Sequence, residues 1–305
     1  MNESLEVTKP LNIGYKKNCE CPSNHINCLT AKQWIQSQVA IWEFYYEKRD
    51  VRDKNIHPAV FPIGLPKRAI ELFTHQGELV LDPFVGIGTT LLAAFDLNRN
   101  AVGFDLKAEY VVFSNRRVAQ AKLDDWGESK QRSTLQLAIH DDARNISQYL
   151  QPETVSLVVT SPPYANMLNR PRLNKSIRGD LRQNNHYLKV QQYSSDPRDL
   201  GTMEPKRYAK ELGEIYERIL PLLKPKAHSV INVTDLWWKE GRYGKRIPVH
   251  IYVIDEMEKV GFELRNIIIW DRRNLVNKVG IFGWPNNYIT LGTTFEYILD
   301  FWRPP

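Results

Sequence analysis

The 305-residue chain predicts an α/β fold, a mostly parallel sheet with helices on both faces, and three observations carry that expectation. First, short and mostly apolar runs recur, at Leu79–Leu81, Ala101–Phe104, Leu135–Ile139 and Val155–Val159, as strands covered on both sides require. Second, the stretches between them carry helical apolar spacing, so the order alternates strand and helix in the manner of a parallel sheet. Third, the runs end in carboxylates, glycines or prolines, at the strand ends where such sheets bind ligands.

Composition bounds the class without naming a partner. With 42% apolar and 25% charged residues, the chain reads as an ordinary globular protein with one substantial core or two modest ones. Forty-one Lys and Arg against 35 Asp and Glu give a formal charge of +6, a mild basicity that favours polyanions without requiring them. No run approaches the roughly 18 to 20 apolar residues that span a bilayer, and Met1–Glu6 lacks a charged-then-apolar signal pattern, so a cytoplasmic location with no membrane partner is expected. Cys19, Cys21 and Cys28, with His25 between them, argue by their odd number against a disulfide framework. Such a group could bind zinc, but the spacing is not a standard pair of knuckles; free thiols are the preferred reading and no metal is assigned.

Residues 1–30 are polar and without periodicity, and Leu29, Trp34, Val39, Trp42, Phe44 and Tyr45 then have spacing that predicts a helix over 30–46 with an aromatic face buried in a core. A charged link follows to residue 55, so residues 1–55 read as an N-terminal extension and 56–305 as the main domain. His57–Pro66 is proline-punctuated and extended, and Lys67–Thr74 has helical spacing. After the strand at 79–81, Asp82 and Pro83 stop the ladder, Gly86 and Gly88 let backbone approach a ligand, and Thr89 and Thr90 can cap a helix running to Asn98. The next strand ends in Asp105, at the spacing where an acidic side chain grips ribose hydroxyls in a Rossmann-like unit. A helix over 109–121 and a third strand ending in His140-Asp141-Asp142 follow, either Asp being a candidate cap for a short helix at 146–150. The strand 155–159 then delivers Thr160-Ser161-Pro162-Pro163-Tyr164, where two prolines force a sharp redirection.

From Ala165 to about Pro205 there is little periodicity. Arg170, Arg172, Lys175, Arg178, Arg182 and Lys189 face one acid, Asp180, within residues 165–192, and a loop so long is usually functional or disordered. Arg, Asn and Gln suit phosphates and base edges, and a solvated insert is the plainer alternative. A helix over 206–223, a strand over 228–234, a loop over 235–246, a helix over 248–260 and a closing hairpin of strands 264–270 and 294–302 complete the chain. Trp237, Arg242 and Lys245 in that loop, and Arg272 and Arg273 between the closing strands, combine aromatics and cations that could contact nucleic acid.

The glycine stretch Asp82–Thr90 (DPFVGIGTT) and the proline stretch Thr160–Tyr164 (TSPPY) together resemble the cofactor and catalytic motifs of the S-adenosylmethionine-dependent DNA amino-methyltransferases, which methylate cytosine N4 or adenine N6. The likeness extends from about His57 to Trp302. The cofactor motif precedes the catalytic one here, a permutation known within the family. The resemblance implies a Rossmann-like class I methyltransferase with a mostly parallel seven-stranded sheet closed by an antiparallel strand. It implies S-adenosylmethionine held by Phe61, Asp82, Phe84, Gly86, Gly88, Thr89, Thr90, Asp105, Asp142 and Thr160, with Asp142 at the adenine amino group. It further implies catalysis by Ser161, Pro162, Pro163 and Tyr164: the Ser161 side chain and the Pro162 carbonyl accept the amino protons, and Tyr164 stacks on a flipped base. No cysteine lies in a Pro-Cys motif, so ring-carbon methylation through a covalent intermediate is not expected. Double-stranded DNA is the expected partner, with a cognate restriction endonuclease possible, and serine at the first catalytic position leans toward cytosine N4 over adenine N6. An RNA amino-group methyltransferase, or a DNA-binding protein on an inactive methyltransferase fold, are the other classes weighed.

Overall fold

The computed structural model describes residues 9–22, 24–51, 60–125, 133–169, 196–240, 243–274 and 293–305. Eight strands form the main sheet: β1 (Ile41–Glu43), β2 (Leu79–Asp82), β3 (Asn100–Asp105), β4 (Gln136–His140), β5 (Val155–Thr160), β6 (Leu223–Val233), β9 (Glu263–Asp271) and β10 (Phe295–Trp302). Their order is β1-β9-β10-β6-β5-β2-β3-β4. Only β10 runs against its neighbours, β6 and β9; the other pairings are parallel. Two further strands, β7 (Leu236–Glu240) and β8 (Tyr243–Ile247), make a separate antiparallel hairpin where a loop was expected.

Both faces of the sheet are covered, which explains why its central strands are mostly apolar. Leu79 and Leu81 belong to one core cluster and Val80 to the other, because successive side chains leave a strand on opposite faces. The cluster around Val80 includes residues of α3 (Gly64–Phe73), α4 (Thr89–Asp96) and α5 (Ala108–Asp124). The cluster around Leu79 and Leu81 is filled by α6 (Pro205–Ile219) and α7 (Val249–Val260). In α6, Pro205 fits the first turn, Tyr208, Ala209, Leu212, Ile215, Tyr216 and Ile219 make the buried stripe, and Lys206, Arg207 and Lys210 stay exposed.

Two expectations change. The helix expected over 30–46 is only α1 (Ala31–Ser37), opened by a Thr30–Gln33 capping box and with no buried residue. Beyond it the burial alternates, Ile41 out, Trp42 in, Glu43 out and Phe44 in, which is a strand period rather than a helical one. β1 therefore pairs with β9 as an eighth strand, and the N-terminal extension shares the main core through Trp42 and Phe44. After α2 (Lys48–Val51), the order of α3 to β5 follows the sequence reading. Lys224 and Pro225, expected to separate helix from strand, lie within β6, where the pairing with β5 shifts register between Val155 and Leu157. A bulge accommodates a proline that a regular ladder would reject.

Candidate active site

Both corners singled out in the sequence follow the carboxyl ends of adjacent strands, β2 and β5, and a hydrogen bond joins them directly. Asp82 closes β2 and is 1% exposed. Its Oδ1 accepts from Thr160 Oγ1 at 2.6 Å and from the Phe84 amide at 3.1 Å, and its Oδ2 accepts from Thr90 Oγ1 at 2.6 Å. One carboxylate thus ties β5, the glycine turn and α4 together. Burial pushes the Asp82 carboxyl up to about 6, against the pull of those three donors.

The glycine turn itself is held from β3. Asp105 Oδ2 accepts from the Gly86 amide at 3.0 Å and Oδ1 from the Lys107 amide at 2.8 Å, so both its oxygens are oriented by backbone. Burial again pushes this carboxyl up to about 6. The two glycines have different reasons. Gly86 takes φ +50° on the wall of a cleft. Gly88 takes φ +82° and is the cap residue of α4, and a Cβ there would sit 2.1 Å from Ser114 Oγ of α5. Its glycine is demanded by helix packing as well as by backbone conformation.

A cleft opens between the two corners, at the carboxyl ends of β2, β3, β4 and β5. Phe61, Phe84, Gly86, Thr89, Asp105, Asp142, Ser161 and Pro163 line it together. Asp82, Gly88, Thr90 and Thr160 stand behind that wall as supports. The expected capping by Thr89 and Thr90 does not occur: both lie inside α4, and the Thr90 hydroxyl is given to Asp82.

Ser161 is wired to residues far away in the chain. Tyr164 Oη lies 3.0 Å from Ser161 Oγ and donates to Glu296 Oε2 at 2.7 Å. Because the tyrosine has one hydroxyl proton and the carboxylate takes it, the Ser161 hydroxyl must donate to Tyr164. Ser161 Oγ also accepts a long contact from Asn232 Nδ2 at 3.4 Å, which leaves the serine one further lone pair. Asn232 Nδ2 donates to Tyr164 Oη at 2.6 Å and to Glu296 Oε2 at 2.7 Å, and Arg272 pairs with the other Glu296 oxygen. Asn232 and Glu296 are 1% and 4% exposed, so this is a buried, charge-balanced network directly beneath the proline corner. Tyr164 is 8% exposed, its ring packed in the core and its hydroxyl bonded within this network.

The acidic pair after β4 divides its work. Asp142 caps the short 3₁₀ turn Ala143–Gln148 through the Arg144 amide at 2.9 Å, and the Arg144 guanidinium bridges its two oxygens at 3.2 Å each. Asp141 accepts from Tyr149 Oη at 2.6 Å and from Asn145 at 2.7 Å, and these hydrogen bonds hold its carboxyl below the usual range despite partial burial.

Sequence reasoning missed Asn232 and Glu296. A partial signal was present, since Asn232 lies between Ile231 and Val233 and Glu296 between Phe295 and Tyr297, and a polar group set among apolar neighbours can mark a buried network. It also missed Tyr110, Arg144, Arg198 and Asp199 on the cleft wall. Of the residues expected at DNA, Arg170, Arg172, Lys175, Arg178, Arg182 and Arg242 lie outside the described residues. Trp237 is 48% exposed on the β7–β8 hairpin, its indole over Gly244, and Lys245 is exposed on the facing strand. Arg273 is exposed and chelates Asp271. Arg272 pairs with Glu296 and so joins that network.

Comparison with known proteins finds DNA methylases. A family model described as a DNA methylase matches residues 11–116 and 155–305. The chain is 38% identical over 93 residues to the type II methyltransferase M.BglI of Bacillus subtilis, covering 30% of this chain and 26% of that protein. It is 30% identical over 125 residues to the DNA adenine methyltransferase YhdJ of Escherichia coli, covering 40% of each. Among solved structures, a Thermus thermophilus DNA modification methylase complexed with S-adenosyl-L-methionine aligns with 24% identity and a TM-score of 0.36, covering 54% of each chain. The matched segments thus span well under half of these curated relatives.

Proposed function

The chain belongs to the N6/N4 DNA methylase family, and from that premise we propose that it transfers a methyl group from S-adenosylmethionine to the exocyclic amino group of a base in double-stranded DNA, cytosine N4 first. One observation carries the reading: Gly86 and Asp105 share a single cleft with Ser161 and Pro163, and a 2.6 Å hydrogen bond from Thr160 to Asp82 locks the two corners together.

The residues present fit the cofactor. The turn at Gly86 carries no side chain into the cleft, Asp105 offers an oriented carboxylate for ribose hydroxyls, Phe61 and Phe84 offer apolar walls, and Asp142 has acceptor capacity for an adenine amino group. When bound, S-adenosylmethionine supplies an electrophilic methyl group on a sulfonium. This chain's residues prepare the acceptor. The target amine's lone pair is delocalised into its ring, and Ser161 Oγ, with its proton given to Tyr164, can accept one amino hydrogen while the Pro162 carbonyl accepts the other. Such bonds draw the nitrogen toward tetrahedral geometry and aim its lone pair, a positioning effect of several kcal/mol. A base in a duplex reaches this corner only by leaving the stack, which we take to be part of the reaction.

Adenine N6 is the second reading, favoured by the likeness to a protein named as an adenine methyltransferase. Incubation with labelled cofactor and duplex DNA, followed by digestion to nucleosides, decides between them: N4-methylcytosine supports the first, N6-methyladenine the second. A protein that binds the cofactor yet labels no duplex overturns both, and label appearing only in RNA would point to an RNA amino-group enzyme. The type II naming of M.BglI extends the reading to a partner endonuclease for the same sequence, checked by whether methylated DNA resists cleavage.

A further inference from the structure

We propose that Cys19, Cys21, Cys28 and His75 hold one zinc ion in a closed, structural site. Three of the ligands lie within ten residues of the N-terminal arm; the fourth comes from the turn between α3 and β2. Their donor atoms all lie within 4.8 Å of one another. Cys19 Sγ and Cys28 Sγ are 3.6 Å apart, and His75 Nδ1 is 3.4 Å from the first and 3.5 Å from the second. A tetrahedral zinc with ordinary Zn–S and Zn–N bonds sets two sulfurs about 3.8 Å apart and a sulfur and a nitrogen about 3.6 Å apart. Three edges of the tetrahedron are therefore nearly in place, at separations far too long for a disulfide.

The surroundings prepare the donors. His75 Nε2 sits 2.9 Å from the His25 carbonyl oxygen, which can only accept, so the ring proton is on Nε2 and Nδ1 presents a bare lone pair to the thiols. The Gln76 amide donates to Cys28 Sγ at 3.4 Å, as backbone amides do to metal-bound thiolates, and Lys17 donates to the Cys21 carbonyl at 2.7 Å, bringing a cation near a site whose three thiolates exceed the metal's charge. The ligand loops are themselves anchored: Asn27 donates to the Leu72 carbonyl, and the Asn18 amide to the Gln76 carbonyl.

Two features make the role structural. All four positions are filled by protein, leaving none for a substrate. His75 also precedes β2, at the amino ends of the parallel strands, whereas the catalytic corners follow their carboxyl ends. The ion would clamp an arm that has no helix or strand among its described residues before α1 to the base of the sheet. Sulfur-rich tetrahedral donors select zinc over hard cations.

The test uses the full chain, purified without chelators and reconstituted with zinc or cobalt(II). Expected are about one zinc per chain and, with cobalt, the intense thiolate-to-metal charge-transfer and tetrahedral d–d absorption of a Cys₃His site. His75→Ala should lose the ion to a competing chelator at least tenfold more readily than the unaltered chain, while His25→Ala, which alters only a side chain whose backbone carbonyl is used, should retain it. A chain that takes up no zinc and gives no cobalt–thiolate absorption overturns the proposal, and the cobalt spectrum of the unaltered chain decides even if His75→Ala fails to fold. Retention by His75→Ala with loss in His25→Ala would overturn the ligand assignment. None of these readouts depends on methyl transfer.

Discussion

At Ser161 the chemistry depends on where one proton points. The chain Ser161 to Tyr164 to Glu296 makes the serine hydroxyl a donor to the tyrosine, and in the proposed reaction its remaining lone pair accepts from the target amine. Ser161→Ala should leave cofactor affinity unchanged and lower kcat by about 10²- to 10³-fold. Glu296→Gln keeps the shape but weakens the orienting acceptor, and should cost about tenfold in kcat with the same cofactor affinity; binding calorimetry beside single-turnover kinetics separates the two effects, and equal loss of both parameters would contradict the assigned roles. Asp105 gives a pH signature. Its carboxyl sits near 6, raised by burial, and ribose hydroxyls donate best to the ionised form, so cofactor affinity should climb as pH rises through about 6 and level off above about 7. Asp82 also titrates near 6 but faces Thr90 and Thr160. Asp105→Asn should therefore weaken binding and flatten the profile, and a profile that survives the substitution assigns the titration elsewhere.

At the scale of elements, the glycine turn joins strand to helix in two ways that the letters alone do not distinguish. Gly86 presents backbone to the cleft, while Gly88 makes room for Ser114 and turns the chain into α4. Gly88→Ala combines a positive φ with a close approach to another helix and should destabilise the fold by about 2 kcal/mol or more, read as a lower urea midpoint at unchanged slope. Most elements from α3 to β10 were legible because each carries a complete local signal: an unbroken apolar run for a doubly covered strand, or a stripe such as Tyr208, Leu212, Ile215 and Ile219 for α6. The segment around Trp42 was not, since three strand residues give too short a period to outweigh aromatics that also fit helical spacing. What settles it is the edge of β9, which lies more than 200 residues away.

Across the whole molecule the sheet separates two ends. The candidate cleft lies where β2, β3, β4 and β5 finish, and the Cys₃His cluster lies where β2 begins. Cofactor bound to the native state alone should raise stability by about 2.7 kcal/mol at one hundred times its Kd, a shift visible in thermal unfolding that Asp105→Asn should reduce at the same concentration.

The sequence by itself determined the α/β class, both motif corners and their place at strand ends, because apolar continuity, glycines and paired prolines are local properties of neighbouring residues. Only the tertiary structure decided which residues stand behind those corners and which side chains meet: Asn232, Glu296 and Arg272 under Ser161, Asp82 as a hidden brace, and His75 rather than His25 beside the thiols. These partners are separated by dozens of residues or more, and the distance between two side chains on different strands is set by the order and register of the sheet, which no local spacing encodes.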